Sequence, residues 1–257
     1  MRILVLTRIL LLALLVSALL ASNASALILS FSTPSGSVDA AGDPVSARAD
    51  LSTTAGVLTI GLTNLLNDPK DAGQGLSGLA FTLSDGRTVG TLSSSSGTER
   101  TVFGDKTFSD GASVPTGWVL QNNFAGGLRL CDVACVGGGG AAPVHTIIGG
   151  PDTGDLSHYT QANSSITGSG GPGTFGTHSP FLAGTVTFTL SGFTSDIFPT
   201  SVTFSFGTEA ETTLSGQCTL SCIAAPKAVP EPASLLLLGA GLAGLAGLGW
   251  KKRLGVK

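Results

Sequence analysis

Three groups of residues in this chain carry side chains that could do chemistry. Four cysteines fall as two Cys-x-x-x-Cys pairs, Cys131/Cys135 and Cys218/Cys222. Four thiolates so spaced could close a tetrahedral zinc site, but in an oxidising compartment an even cysteine count favours disulfides. Three connectivities are open. Pairing within each motif pins a small loop, whereas pairing between motifs closes a long one and gives the larger entropic stabilisation. The second group is Asp152, Asp155 and His158, an Asp-x-x-Asp-x-x-His run in a Gly/Pro/Ser-rich stretch. Its oxygens and imidazole could surround one ion, calcium before zinc, although such groups in a loop are more often merely solvated. The expectation is no resident cofactor, with calcium as the one candidate. The third is a single carboxylate, Glu231, between Pro230 and Pro232. Neither proline offers an amide donor and each biases its predecessor away from helix, so Glu231 stands on a stiff, extended stem. No Gly-x-Ser-x-Gly element lies between a strand and a helix. Carboxylates are numerous, yet nothing singles out a pair for glycoside hydrolysis. His145, in an apolar strand candidate, reads as a packed or edge residue. No catalytic residue is predicted.

The elements that would position these groups are strands. Residues 27–230 carry seven cations against fifteen carboxylates, a net charge of −8, which makes nucleic acid a poor partner. This passenger is dominated by Gly, Ser and Thr and has no convincing amphipathic helix, a composition of short strands joined by turns. Gly184–Leu190 alternates strictly, with Val186, Phe188 and Leu190 on one face and threonines on the other. Ser201–Phe206 repeats that pattern, as do Val57–Thr63 through Leu58, Ile60 and Leu62, and Leu79–Leu83 through Phe81. Leu29 with Phe31, Trp118 with Leu120, Leu128 with Leu130, and Val144–Ile148 are shorter candidates. Alternation buries one face only, so two sheets must pack together and an antiparallel β-sandwich is expected. Ser93–Gly97, Gly137–Gly140 and Gly149–Gly176 read as loops, the last long enough to be functional or poorly ordered.

Both ends of the chain read as targeting segments. Arg2 and Arg8 precede an apolar run from Ile9 to Leu20, and Ala24 and Ala26 place small residues at −3 and −1. This predicts a signal helix over residues 1–26, cleaved after Ala26 by signal peptidase following Sec-type export. At the other end, Ala233–Trp250 contains no charge and would make a single transmembrane helix of roughly 27 Å. Lys251, Lys252 and Arg253 follow it and would remain cytoplasmic. The run Val229-Pro230-Glu231-Pro232-Ala233-Ser234, the Leu/Gly/Ala span and the basic end resemble the PEP-CTERM sorting signal of Gram-negative bacteria. The resemblance covers residues 228–257, and Leu254–Lys257 extend beyond its usual basic end. It implies processing by an exosortase, a multi-pass membrane protease that recognises the Pro-Glu-Pro element, and an association with exopolysaccharide matrix.

The expected architecture is thus a signal peptide over 1–26, a mostly β passenger over 27–227 and a sorting signal over 228–257. The expected protein is anchored in the inner membrane as a precursor and then delivered to the cell envelope or outside. Its role there would be structural, adhesive or glycan-associated and non-enzymatic. Two other readings stay open: a secreted hydrolase, which needs a convergent polar pocket, and a tail-anchored periplasmic carbohydrate-binding protein. The latter needs surface aromatics, for which Trp118 and Tyr159 are the main candidates beyond the phenylalanines.

Overall fold

The computed structural model describes residues 28–132, 135, 145–194, 197–208 and 212–219. The strands are β1 (Ile28–Ser32), β2 (Ala47–Thr54), β3 (Val57–Asn64), β4 (Leu76–Leu83), β5 (Thr91–Val102) and β6 (Phe108–Val114), followed by β7 (Val119–Phe124), β8 (Gly127–Cys131), β9 (Phe181–Ser191), β10 (Pro199–Phe206), β11 (Thr212–Ser215) and β12 (Gln217–Thr219). They form two antiparallel sheets, one ordered β12-β1-β2-β3-β9-β5-β6 and the other β11-β10-β4-β8-β7. The alternating apolar residues face inward. Leu58, Ile60 and Leu62 of β3 and Val186, Phe188 and Leu190 of β9 are fully buried, with Leu79 and Phe81 of β4 and Phe204 of β10 beneath them. The Trp118 ring lies 5.2 Å from that of Phe188, so the apolar faces of the two sheets meet. Tight turns set the registers. Ala55 and Gly56 both have positive φ, as a two-residue hairpin between β2 and β3 requires. A Cβ at Gly56 would also press on the Phe193 carbonyl oxygen at 2.7 Å.

The serine run departs from the expected loop. Ser93–Gly97 lies within β5, where Ser94 and Ser96 pair with Thr189 and Thr187 of β9 on the outer face. Ser95 points inward, and its hydroxyl accepts from the Thr116 hydroxyl at 2.8 Å. Cross-strand pairing and a buried partner hold this stretch extended where intrinsic preference is weak. The glycine run, 137–140, lies outside the described residues. Of Val144–Ile148, the described part forms single bridges: Ile147 bonds Leu76 of β4 and bridges to Leu182 of β9, linking the sheets at one end.

The long Gly/Pro/Ser-rich stretch is a folded cap. Tyr159, Ala162 and Ile166 pack with Ala72, Val102, Ile148, Phe181 and Ala183 in a second apolar cluster. A one-turn helix, α1 (Ser164–Thr167), starts at Asn163, whose side chain accepts from the Ser165 amide. The cap, the 33–46 and 65–75 connections and the β5–β6 turn all lie at one pole, as the antiparallel registers require. The β2–β3 turn, the start of β1 and the end of β12 lie at the opposite pole.

Candidate functional site

The Asp152–His158 run forms a self-contained turn. Asp152 accepts from the Gly154 amide at 2.8 Å and, through its other oxygen, from the Thr160 hydroxyl at 2.9 Å. Asp155 accepts from the Ser157 hydroxyl at 2.6 Å and lies 2.8 Å from His158 Nδ1. The Ser157 hydroxyl, and after it His158, hold the Asp155 carboxyl down at about 2. The structure thus joins Asp155 to His158 and gives Asp152 a different task. Asp152 and Asp68 share the Thr160 hydroxyl, and Asp68 also accepts from the Gln161 amide, which fastens the cap to the 65–75 connection. Among the described residues no three His, Cys, Asp or Glu side chains are grouped to hold a metal ion.

The cap has a second fastening, which sequence reasoning did not single out. Arg100 forks onto Asp110 through Nε at 2.6 Å and Nη2 at 2.7 Å, and its Nη1 donates to the Tyr159 hydroxyl at 2.9 Å. Tyr159 in turn donates to the Gly149 carbonyl at 2.7 Å. The Arg100 guanidinium also stacks 4.1 Å from the Phe108 ring centroid. Burial raises the Tyr159 phenol above its ordinary range, against the pull of Arg100. Trp118 and Tyr159 are both buried, so neither offers a surface platform for sugar rings. Trp118 donates its indole N–H to the His145 carbonyl at 2.9 Å.

A buried polar group surrounds the first cysteine pair. Cys131 and Cys135 are joined by a disulfide. Asp132, one residue along, is almost wholly buried and one of its oxygens has no partner. Burial pushes its carboxyl up to about 7, opposed by the His145 backbone N–H that donates to it. The His145 ring is buried too, with Nε2 3.5 Å from a Glu99 oxygen. One feature in the sequence marks Asp132: a carboxylate directly after the alternating Leu128–Leu130 strand and between two cysteines.

The second cysteine pair leads to the chain's C-terminal segment. Cys218 lies in β12, opposite Phe31 of β1, and is disulfide-bonded. Cys222 lies outside the described residues, as do Ala24, Ala26, the Val229–Pro232 motif, the Ala233–Trp250 span and the Lys251–Arg253 cluster. Among the described residues no helix is long and apolar enough to cross a membrane.

Together these features define a mostly β domain whose last described strand, β12, precedes residues 228–257 in the sequence. Residues 228–253 match the family described as the PEP-CTERM protein-sorting motif, so the chain carries a PEP-CTERM sorting signal. The motif implies export toward the cell envelope or surface, with an exosortase as the processing partner. No curated protein and no solved structure matches the chain.

Proposed function

We propose that this protein is an exosortase substrate whose β domain serves as a non-enzymatic structural, adhesive or glycan-associated component of the cell envelope or extracellular matrix. The observation that carries the reading is the match of residues 228–253 to the sorting motif. In this reading residues 1–26 direct export and are removed, Ala233–Trp250 holds the precursor in the inner membrane, and Lys251–Arg253 keep its end cytoplasmic. The enzyme recognises the Val229–Pro232 motif, with Glu231 between its two prolines. One peptide bond is broken near it, its acyl group passing to water or to an acceptor amine. A passenger without surface aromatic platforms at Trp118 and Tyr159 favours contact through its polar sheet faces over stacking on sugar rings.

The test compares the wild-type chain with Glu231→Ala in the native host by intact mass and cell fraction. Wild type is expected to lose the span and leave the inner membrane while the variant keeps it. Both chains remaining full-length in the inner membrane would reduce Ala233–Trp250 to a plain tail anchor.

A further inference from the structure

The last described strand is docked on the first. Ser30 pairs with Thr219, Phe31 with Cys218 and Ser32 with Gln217. The Thr219 hydroxyl adds a bond to the Ser30 carbonyl at 3.2 Å. All three residues of β12 are exposed, so the ladder rather than side-chain burial holds it. Its place is nevertheless fixed by the core. Gly216, which delivers the chain from β11 to β12, donates to the Val202 carbonyl at 2.9 Å. A Cβ at Gly216 would meet Phe204 at 3.0 Å, Val202 at 3.1 Å and Phe31 at 3.4 Å, atoms from both sheets. The step from one sheet to the other therefore fits only where the two apolar faces have already closed.

Since β1 and β12 run antiparallel, the start of one lies beside the end of the other. Ile28 and Thr219 therefore lie at the same corner, at the pole opposite the cap. Residues 220–229, between β12 and the Pro-Glu-Pro element, can span at most about 36 Å.

We propose that the sorting signal is cut from a domain that has already folded: β12 is seated on β1 before the Pro230–Glu231–Pro232 element is processed, and it stays with the mature protein. This rests on the sorting reading above and adds the order of events to it. A precursor held by its C-terminal span, and by residues 1–26 until these are removed, can close this edge without threading either end through the sheet, because Ile28 and Thr219 lie together. Closing it early also keeps the backbone edge of β1 covered when the domain is released.

The order can be tested by locking the edge. Ser30 and Thr219 are directly opposed, and opposed residues lie about 4.5–5.5 Å apart between Cα atoms, within disulfide reach. Full chains carrying Ser30→Cys with Thr219→Cys, or Ser30→Cys alone, are expressed in the processing host and followed by peptide mapping and intact mass. The expected result is a 30–219 cross-link in the Glu231→Ala precursor, and cutting of the cross-linked chain with an intact signal within about twofold of the Ser30→Cys rate. A cross-linked chain that accumulates uncut while Ser30→Cys is cut would overturn the proposal, since the enzyme would then need β12 undocked. Failure of the Ser30→Cys chain itself to be cut would bring down the sorting reading, and this one with it. Amide exchange on the Glu231→Ala precursor needs no new cysteine. Protection of the Ser30 and Ser32 amides, which face β12 while Leu29 and Phe31 face β2, is expected there, and its appearance only after processing would equally overturn the order.

Discussion

Asp132 carries a protonation equilibrium that the domain's stability must follow. Its carboxyl is raised to about 7 in the folded state by burial, so the folded protein holds a proton that the unfolded chain releases near pH 4. Stability contributed by that proton is full below about pH 4 and is lost as pH rises through 7, at up to about 1.4 kcal/mol per pH unit. Asp132→Asn keeps an acceptor for the His145 amide and removes the titration. Urea unfolding is expected to show the variant gaining about 2–3 kcal/mol on its parent between pH 5 and pH 8. Equal slopes would mean that Asp132 ionises freely in the fold. Tyr159→Phe is a separate test of the Arg100–Tyr159–Gly149 chain, with an expected loss of about 1–2 kcal/mol in thermal or urea unfolding because two buried partners lose a hydrogen bond. At this scale the sequence was partly readable. Cysteine spacing brought Cys131 and Cys135 forward, whereas the Asp/His spacing suggests an ion site where the structure instead pairs Asp155 with His158. The separate use of Asp152, and the burial of Asp132, depend on Thr160, Asp68 and His145, whose nearness only the fold supplies.

Strands and cap differ in how directly their residues announce them. Val186–Leu190 and Leu58–Leu62 alternate so strictly that a register shift by one residue would turn three buried side chains to solvent, which is why their faces could be read in advance. β5 could not be read that way, because serines become strand residues only when β9 lies beside them. The cap hid behind its glycines and prolines, although Tyr159 and Ile166 are fully buried in it. One glycine shows why such a composition is compatible with order. A side chain at Gly149 would collide with the Leu66 carbonyl oxygen, so the close approach of cap to the 65–75 connection needs a residue without Cβ. If the cap is a packed element, Ile166→Ala should cost about 2–5 kcal/mol. Amide exchange should then show residues 159–167 losing protection ahead of β3 and β9. A cost below about 0.5 kcal/mol would mean that the cap merely rests on the sheets.

Among the described residues, the two open sheets leave four edges, and each is blunted. β6 is bulged against β5 and carries the Asp110 charge, β7 is bulged against β8, and β11 is four residues long. The fourth would be β1, whose Leu29 and Phe31 lie in the core while Ile28 is 57% exposed; three residues of β12 cover it. Exposed strand edges recruit other chains, and the usual defences are charge, bulges, short length or a covering segment. β12 is a covering segment, and the covalent closure at Cys218 lies within it. Shortening the exported chain to 27–216 should therefore leave the core strands formed but open β1 to pairing. Sedimentation is expected to show concentration-dependent association in the 27–216 chain and a monomer in the 27–227 chain. Both remaining monomeric would mean that β1 protects itself, and that β12 serves only as the root of the sorting tail.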